Sequence, residues 1–216
     1  PEQSIIKALA YFDIFNYPLT REEIYNFLDQ QVEMDTVAPV LQQLVKDRRL
    51  FQLGDFYSLQ PDPALRARRT IGNHKAAQLL RTAYRVGGFL YQFPFVRGIG
   101  ISGSLSKNFA DQDTDIDFFI ITCSNRLWIA RTLMHLFKKL TFITGHQHWY
   151  CMNYYIDEEA MRIEEQNIFT ATELITLLPV CGNGTMYNFY NCNNWTVEYF
   201  PNQAIGKQSM IMAQSG

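Results

Sequence analysis

The chain has 216 residues, 47% of them hydrophobic and 19% charged, with four cysteines and a net charge of −2. That length can bury the core of one large domain or two small ones. No apolar run approaches the ~20 residues that cross a bilayer, and no basic stretch leading into an apolar one opens the chain, so a membrane partner is excluded and the cytoplasm is the expected location.

Residues 3–16 carry Ile5, Ile6, Leu9, Ala10, Phe12 and Phe15 at helical spacing, and "NYPLT" breaks the pattern. Thr20 precedes "REEIYNFL" with Glu23 three positions on, a capping-box signature for a second helix. Residues 36–50 predict a third helix through Val37, Val40, Leu41, Leu44, Val45 and Leu50. "RRLFQLGDFYSLQ" then alternates around Gly54-Asp55, a hairpin signal. Three short helices and a hairpin resemble a winged helix-turn-helix, covering residues 1–60.

Residues 61–94 are a basic helical connector. A long helix over 62–86 carries Arg66, Arg68, Arg69, Lys75, Arg81 and Arg85, and Gly87-Gly88 is expected to end it. The block 61–97 is net +6, between acidic blocks of −4 on either side. This helix either lines a groove toward a polyanion or offsets its acidic neighbours.

Beyond it, residues 95–200 predict an α+β core. A strand is expected over 95–102, a short helix over 104–110 and a second strand in "TDIDFFIIT". The stretch "NRLWIARTLMHLFKKLTF" is an amphipathic helix, and "HWYCMNYYI" a third strand. Asp157 reads as the cap of a helix beginning "EEAMRI". A further helix spans about 169–178 and stops near Pro179, and an aromatic-rich helix spans 185–199. Residues 201–216 form a loose, patternless tail.

The chemistry is concentrated in "GISGSLSKNFADQDTDIDFFIIT", residues 100–122. On a strand, Asp115 and Asp117 share one face with Phe119, while Ile116, Phe118 and Ile120 fill the other. Adjacent carboxylates repel unless a cation sits between them. Magnesium favours such a pair and takes the rest of its shell from water and substrate phosphates. Gly103 permits close backbone approach, and Ser104 would start a helix whose N–H groups favour an anion.

At these residues the sequence resembles the polymerase-beta-like nucleotidyltransferase superfamily. Its signature is h-G-[GS], a gap of about ten residues, then D-h-[DE]-h. Here Ile101-Ser102-Gly103-Ser104 is followed by ten residues and then Asp115-Ile116-Asp117-Phe118. Small members often read G-S-x-A-R-G. Here Lys107 keeps the cation of the Arg, and Asn108 replaces the Gly as a residue that tolerates positive φ.

The resemblance covers roughly residues 95–160 and implies a mixed β-sheet core flanked by helices. It further implies that Gly103, Ser104 and Lys107 bind the nucleotide, and that Asp115 and Asp117 are the catalytic acids and metal ligands. The cofactor would be Mg²⁺ or Mn²⁺, the substrate an NTP, and the acceptor a hydroxyl of a small molecule, protein or RNA. The family often adds a third carboxylate from a later strand. Asp157 is the metal-ligand candidate, although it falls at the strand end and also reads as an N-cap. Asn153 is more central but is a poor substitute for a base. Without a third acid, the alternative is a catalytically silent nucleotide-binding or scaffold protein acting through its N-terminal module.

Other patterns carry less. The cysteines lack C-x-x-C spacing, so reduced, mostly buried thiols are expected. His146 and His148 have no third ligand at a fitting spacing, which argues against zinc. Tyr187, Tyr190, Trp195 and Tyr199 suit a helix packed on the core better than a base-stacking platform. The third helix opens with Glu33 and Asp35, which argues against duplex DNA and for a homodimer or protein partner at the N-terminal module.

Overall fold

The computed structural model describes residues 1–141 and 151–203. The predicted strand positions 148–150, the histidines 146 and 148, and the tail from 204 lie outside the described residues. The fold is α+β. No helix among the described residues is long and apolar enough to cross a membrane.

The chain divides into two compact units. The first comprises Pro1–Ile71 and the described residues 195–203. It holds α1 (Glu2–Asp13), β1 (Leu19–Thr20), α2 (Arg21–Asn26), α3 (Met34–Lys46), β2 (Phe51–Leu53) and β3 (Phe56–Ser58). The capping box forms as expected: the Thr20 hydroxyl accepts from the Glu23 N–H at 3.2 Å, and the Glu23 carboxylate accepts from the Thr20 N–H at 2.8 Å. Helix α3 stops earlier than its apolar periodicity, because Arg48 takes a positive φ of 55° and the Arg49 N–H turns back to Leu44. The hairpin turns at Gly54, whose φ is +72°, and β1 joins it to make an antiparallel sheet in the order β1-β3-β2. Ile5, Leu9, Leu19, Ile24, Leu28, Leu41 and Leu50 are wholly buried in this unit.

Helix α4 spans Ala64–Leu90, and the division between units falls within it. Gly87-Gly88 was expected to end this helix, and it does not. A Cβ at Gly87 would lie 2.8 Å from the Val180 side chain and 3.2 Å from Phe118. The glycine is there because the helix approaches the sheet closely at that turn.

The second unit contains β4 (Val96–Ser102), α5 (Gly103–Ser106), β5 (Asp117–Thr122), α6 (Leu127–Thr141) and β6 (Cys151–Asp157). It continues through α7 (Ile168–Thr176), β7 (Leu178–Cys181) and α8 (Asn183–Cys192). The sheet order is β6-β5-β4-β7. Strand β4 runs antiparallel to β5 and β7, and β5 parallel to β6, so the sheet is mixed. One face packs Ile99, Ile101, Phe118, Ile120 and Met152 against Ala76, Ala83, Val86 and Leu90 of α4. The other carries Phe119, whose ring lies 4.8 Å from that of Phe189 in α8.

Three predicted elements change. The helix expected to begin at Glu158 does not form. Leu178–Cys181 forms an edge strand where a helix end was expected, and edges are where strands tolerate a proline such as Pro179. The helix expected over 185–199 is α8, broken after Cys192, followed by a 3-10 helix at Asn194–Glu198. Tyr190 is buried and donates to the Leu177 carbonyl, Tyr187 is half exposed, and Trp195 stands edge-on to Tyr199 in the first unit. None of the four cysteines forms a disulfide; three are half-buried and Cys192 is exposed, so they are less buried than expected.

Candidate active site

Strand β4 is apolar and buried, and it delivers Ser102 and Gly103 to one end of the sheet. The register pairs Ser102 with Asp117, so the Gly-Ser turn and the acidic strand meet there. Gly103 has a φ of +71°, and a Cβ on it would fall 2.5 Å from the Asp117 Oδ2. Only glycine gives the turn this conformation with a carboxylate against it.

The turn differs from expectation in two ways. Helix α5 is a single turn of four residues, and its N-cap is Ser102, without a side-chain capping bond. Ser104 therefore lies inside the turn rather than at its cap, and its residue is exposed. An aligned-dipole argument does not apply to so short a segment; what it offers an anion is a hydroxyl and turn N–H groups. Asn108 adopts the positive φ, 57°, that its place in the motif calls for.

Lys107 lies at the end of the same turn. Its ammonium donates to the Gly103 carbonyl at 3.1 Å and to Glu173 Oε1 at 2.7 Å. Glu173, on α7, is the residue that sequence reasoning missed. The pair spans 66 positions, and nothing local announces it.

The two aspartates are not equivalent. Strand β5 begins at Asp117, so Asp115 lies outside it in the preceding segment. Both are half-buried on either side of the wholly buried Ile116. Asp115 lines a cavity of about 660 Å³ with Lys75, Gln78, Leu79 and Thr82 of α4. A second cavity, of about 640 Å³, opens on the Phe119 face and includes Ser102 and Glu173 in its wall.

Asp157 is not brought to the site. It pairs with Thr122, whereas Asp117 pairs with Cys151, so the two acids sit at opposite ends of adjacent strands. Five residues at ~3.3 Å each separate those ends by roughly 16 Å. The Asp157 carboxylate accepts instead from the Asn125 N–H at 2.7 Å and the Glu159 N–H at 3.0 Å, holding a turn. Asn153 falls at the register shift between Met152 and Tyr154.

Among the described residues no group of three or more His, Cys, Asp or Glu could hold a metal ion. Asp115 and Asp117 remain. Magnesium can take as few as one or two carboxylates from a protein, its other ligands being waters and phosphates. Two carboxylates suit such a cation in chemical type; Asp117 stands against Gly103, and Asp115 lines the cavity beside α4.

Comparisons with family models, with curated proteins and with solved structures find no match to this chain.

Proposed function

We propose that this chain is a Mg²⁺-dependent nucleotidyltransferase that moves a nucleoside monophosphate from an NTP to an acceptor hydroxyl, releasing pyrophosphate. The observation that carries this reading is the approach of Gly103 to Asp117, which joins a Gly-Ser turn to an acidic strand across paired β4 and β5. In this reading the Ser104 hydroxyl and neighbouring N–H groups donate to the β- and γ-phosphates. Asp115 and Asp117 would hold Mg²⁺ or Mn²⁺, which when bound neutralises phosphate charge and polarises the α-phosphorus. Lys107, held on the Gly103 carbonyl and paired with Glu173, places its ammonium beside the turn.

Asp117→Asn removes one negative charge without changing shape. It should abolish Mg²⁺-dependent pyrophosphate release from labelled NTPs supplied with cell extract as acceptor source, and leave the melting temperature near that of the parent. Unchanged turnover would reject the assignment.

A second reading is favoured by one observation. The register partner of Asp117 in β6 is Cys151, and the first carboxylate of that strand lies at its far end. A site without a third acid could bind nucleotide yet lack a general base for the acceptor. Mg·NTP binding without pyrophosphate release from any NTP would select this silent form.

For the first unit, three helices with a β1-β3-β2 sheet support a winged-helix reading. Its acidic α3 start supports a protein-contact or self-association role over duplex binding.

A further inference from the structure

The cavity on the Phe119 face has the construction of a seat for a flat ring. Strands β5 and β6 are in register up to Phe118 and Met152, and then the register shifts so that Tyr154, not residue 153, stands opposite Phe119. Irregularities of this kind re-aim side chains beside sites. The result is a near-parallel stack, ring centroids 5.4 Å apart with planes 14° from parallel. Phe119 is 5% exposed and fixed from behind by Phe189, so it is a rigid base. Tyr154 lies on it and is 48% exposed. Leu177 and the exposed Phe169 are part of the apolar lining. A volume of about 640 Å³ falls within the ~300–1,000 Å³ of small-molecule sites.

Charge decides which end of a ligand enters. Glu164 and Glu165 line the cavity beside Arg162, and Glu173 in the same wall is paired with Lys107. That wall carries no surplus positive charge to draw in a phosphate, and a neutral planar group needs none. The cavity also shares Ser102 with the Gly-Ser turn, and Glu173 with the Lys107 ion pair, so it begins where the turn begins. We infer that the cavity takes the nucleobase of a nucleotide, stacked on Tyr154, while its phosphates stay outside at the turn. The phosphate end of this arrangement rests on the nucleotidyltransferase reading; the stacking seat does not.

The test titrates the full chain with adenosine and with Mg·ATP, using the parent, Tyr154→Ala, Tyr154→Phe and Asp117→Asn, each checked by thermal unfolding. Tyr154→Ala should weaken both ligands by roughly 5- to 150-fold, the loss of one base–aromatic stack. Tyr154→Phe keeps the ring and should bind both like the parent. Asp117→Asn should weaken Mg·ATP alone. If adenosine binding depends on Tyr154 while Mg·ATP ignores Asp117, the seat stands and the phosphate reading falls. If Tyr154→Ala binds Mg·ATP and adenosine like the parent, or Tyr154→Phe loses as much as Tyr154→Ala, the seat is rejected whatever Asp117 does.

Discussion

Ser104 is the residue where reading the chain and seeing the fold diverge most usefully. As an N-cap its removal would cost helix stability, but the cap is Ser102. Ser104→Ala should therefore change stability by no more than ~0.5 kcal/mol, as for exposed positions away from special features. If the hydroxyl meets phosphate, the same variant should lose ~1.5–3 kcal/mol of Mg·NTP affinity, the range for hydrogen bonds to charged groups. Calorimetric titration beside thermal unfolding separates the two. Asp29 offers a pH-dependent test. The Lys7 ammonium at 2.8 Å and the Ser4 hydroxyl hold its carboxyl below the ordinary 3.8. A depressed carboxylate contributes stability that is complete above 3.8 and is lost as pH falls through the lower, folded value. Both side chains are more than a third exposed, so Lys7→Met should cost only ~0.2–1 kcal/mol near neutral pH. Acid unfolding curves of the two proteins should converge below the folded value. Asn108 was legible because a backbone preference is a property of one residue. Glu173 was not, because an ion pair to a distant helix leaves no local trace.

Elements were legible where a local rule sufficed and not where packing overrode one. The capping box at Thr20 and the turn at Gly54 are short-range, and both form as read. Gly87-Gly88 carries a strong stop signal, yet α4 continues because the sheet needs the helix backbone close at Gly87. This predicts opposite signs for neighbouring substitutions. Gly87→Ala should destabilise by ~1–3 kcal/mol, since its methyl would meet Val180 at 2.8 Å. Nothing lies within 4 Å of a Cβ at Gly88, so Gly88→Ala should stabilise by ~0.5–1 kcal/mol through helix propensity. Denaturant midpoints at constant m-value would measure both. Strand β7 was missed because "LLPVC" is equally a helix end, and only its neighbour β4 decides.

At the level of the whole molecule the basic middle block has acquired a structural use. The Arg68 guanidinium donates to the Asn16 carbonyl at 2.8 Å, and Arg69, 2% exposed, pairs with Glu23 at 2.5 Å while stacking 3.6 Å over the Tyr17 ring. These cations serve their own unit, and α3 opens with Asp35 in its first turn. The full chain should therefore bind a short DNA duplex no more tightly than ~10⁻⁶ M at physiological salt, the limit of non-specific association. A salt-sensitive nanomolar shift in a gel assay would contradict this. The α+β class was legible from strand patterns, and the pairing of Ser102 with Asp117 puts the Gly-Ser turn beside an acidic strand, as the sequence reading expects. The grouping of residues 195–203 with the N-terminal unit was not, because it depends on contacts made across most of the chain.

Those contacts bear on how the polypeptide is made. Asn202 accepts from the Val32 N–H at 3.0 Å and donates to the Gln30 and Tyr25 carbonyls, and the Phe200 ring meets Phe27 at 5.5 Å. A ribosome releases the N-terminal helices before residues 200–202, and Asn202 comes 170 positions after its partner Val32. At ~5–20 residues per second the nascent module waits on the order of ten seconds or more, with the Phe27 surface unsealed. Synthesis order thus leaves the Phe27 surface unsealed until Phe200 and Asn202 have emerged.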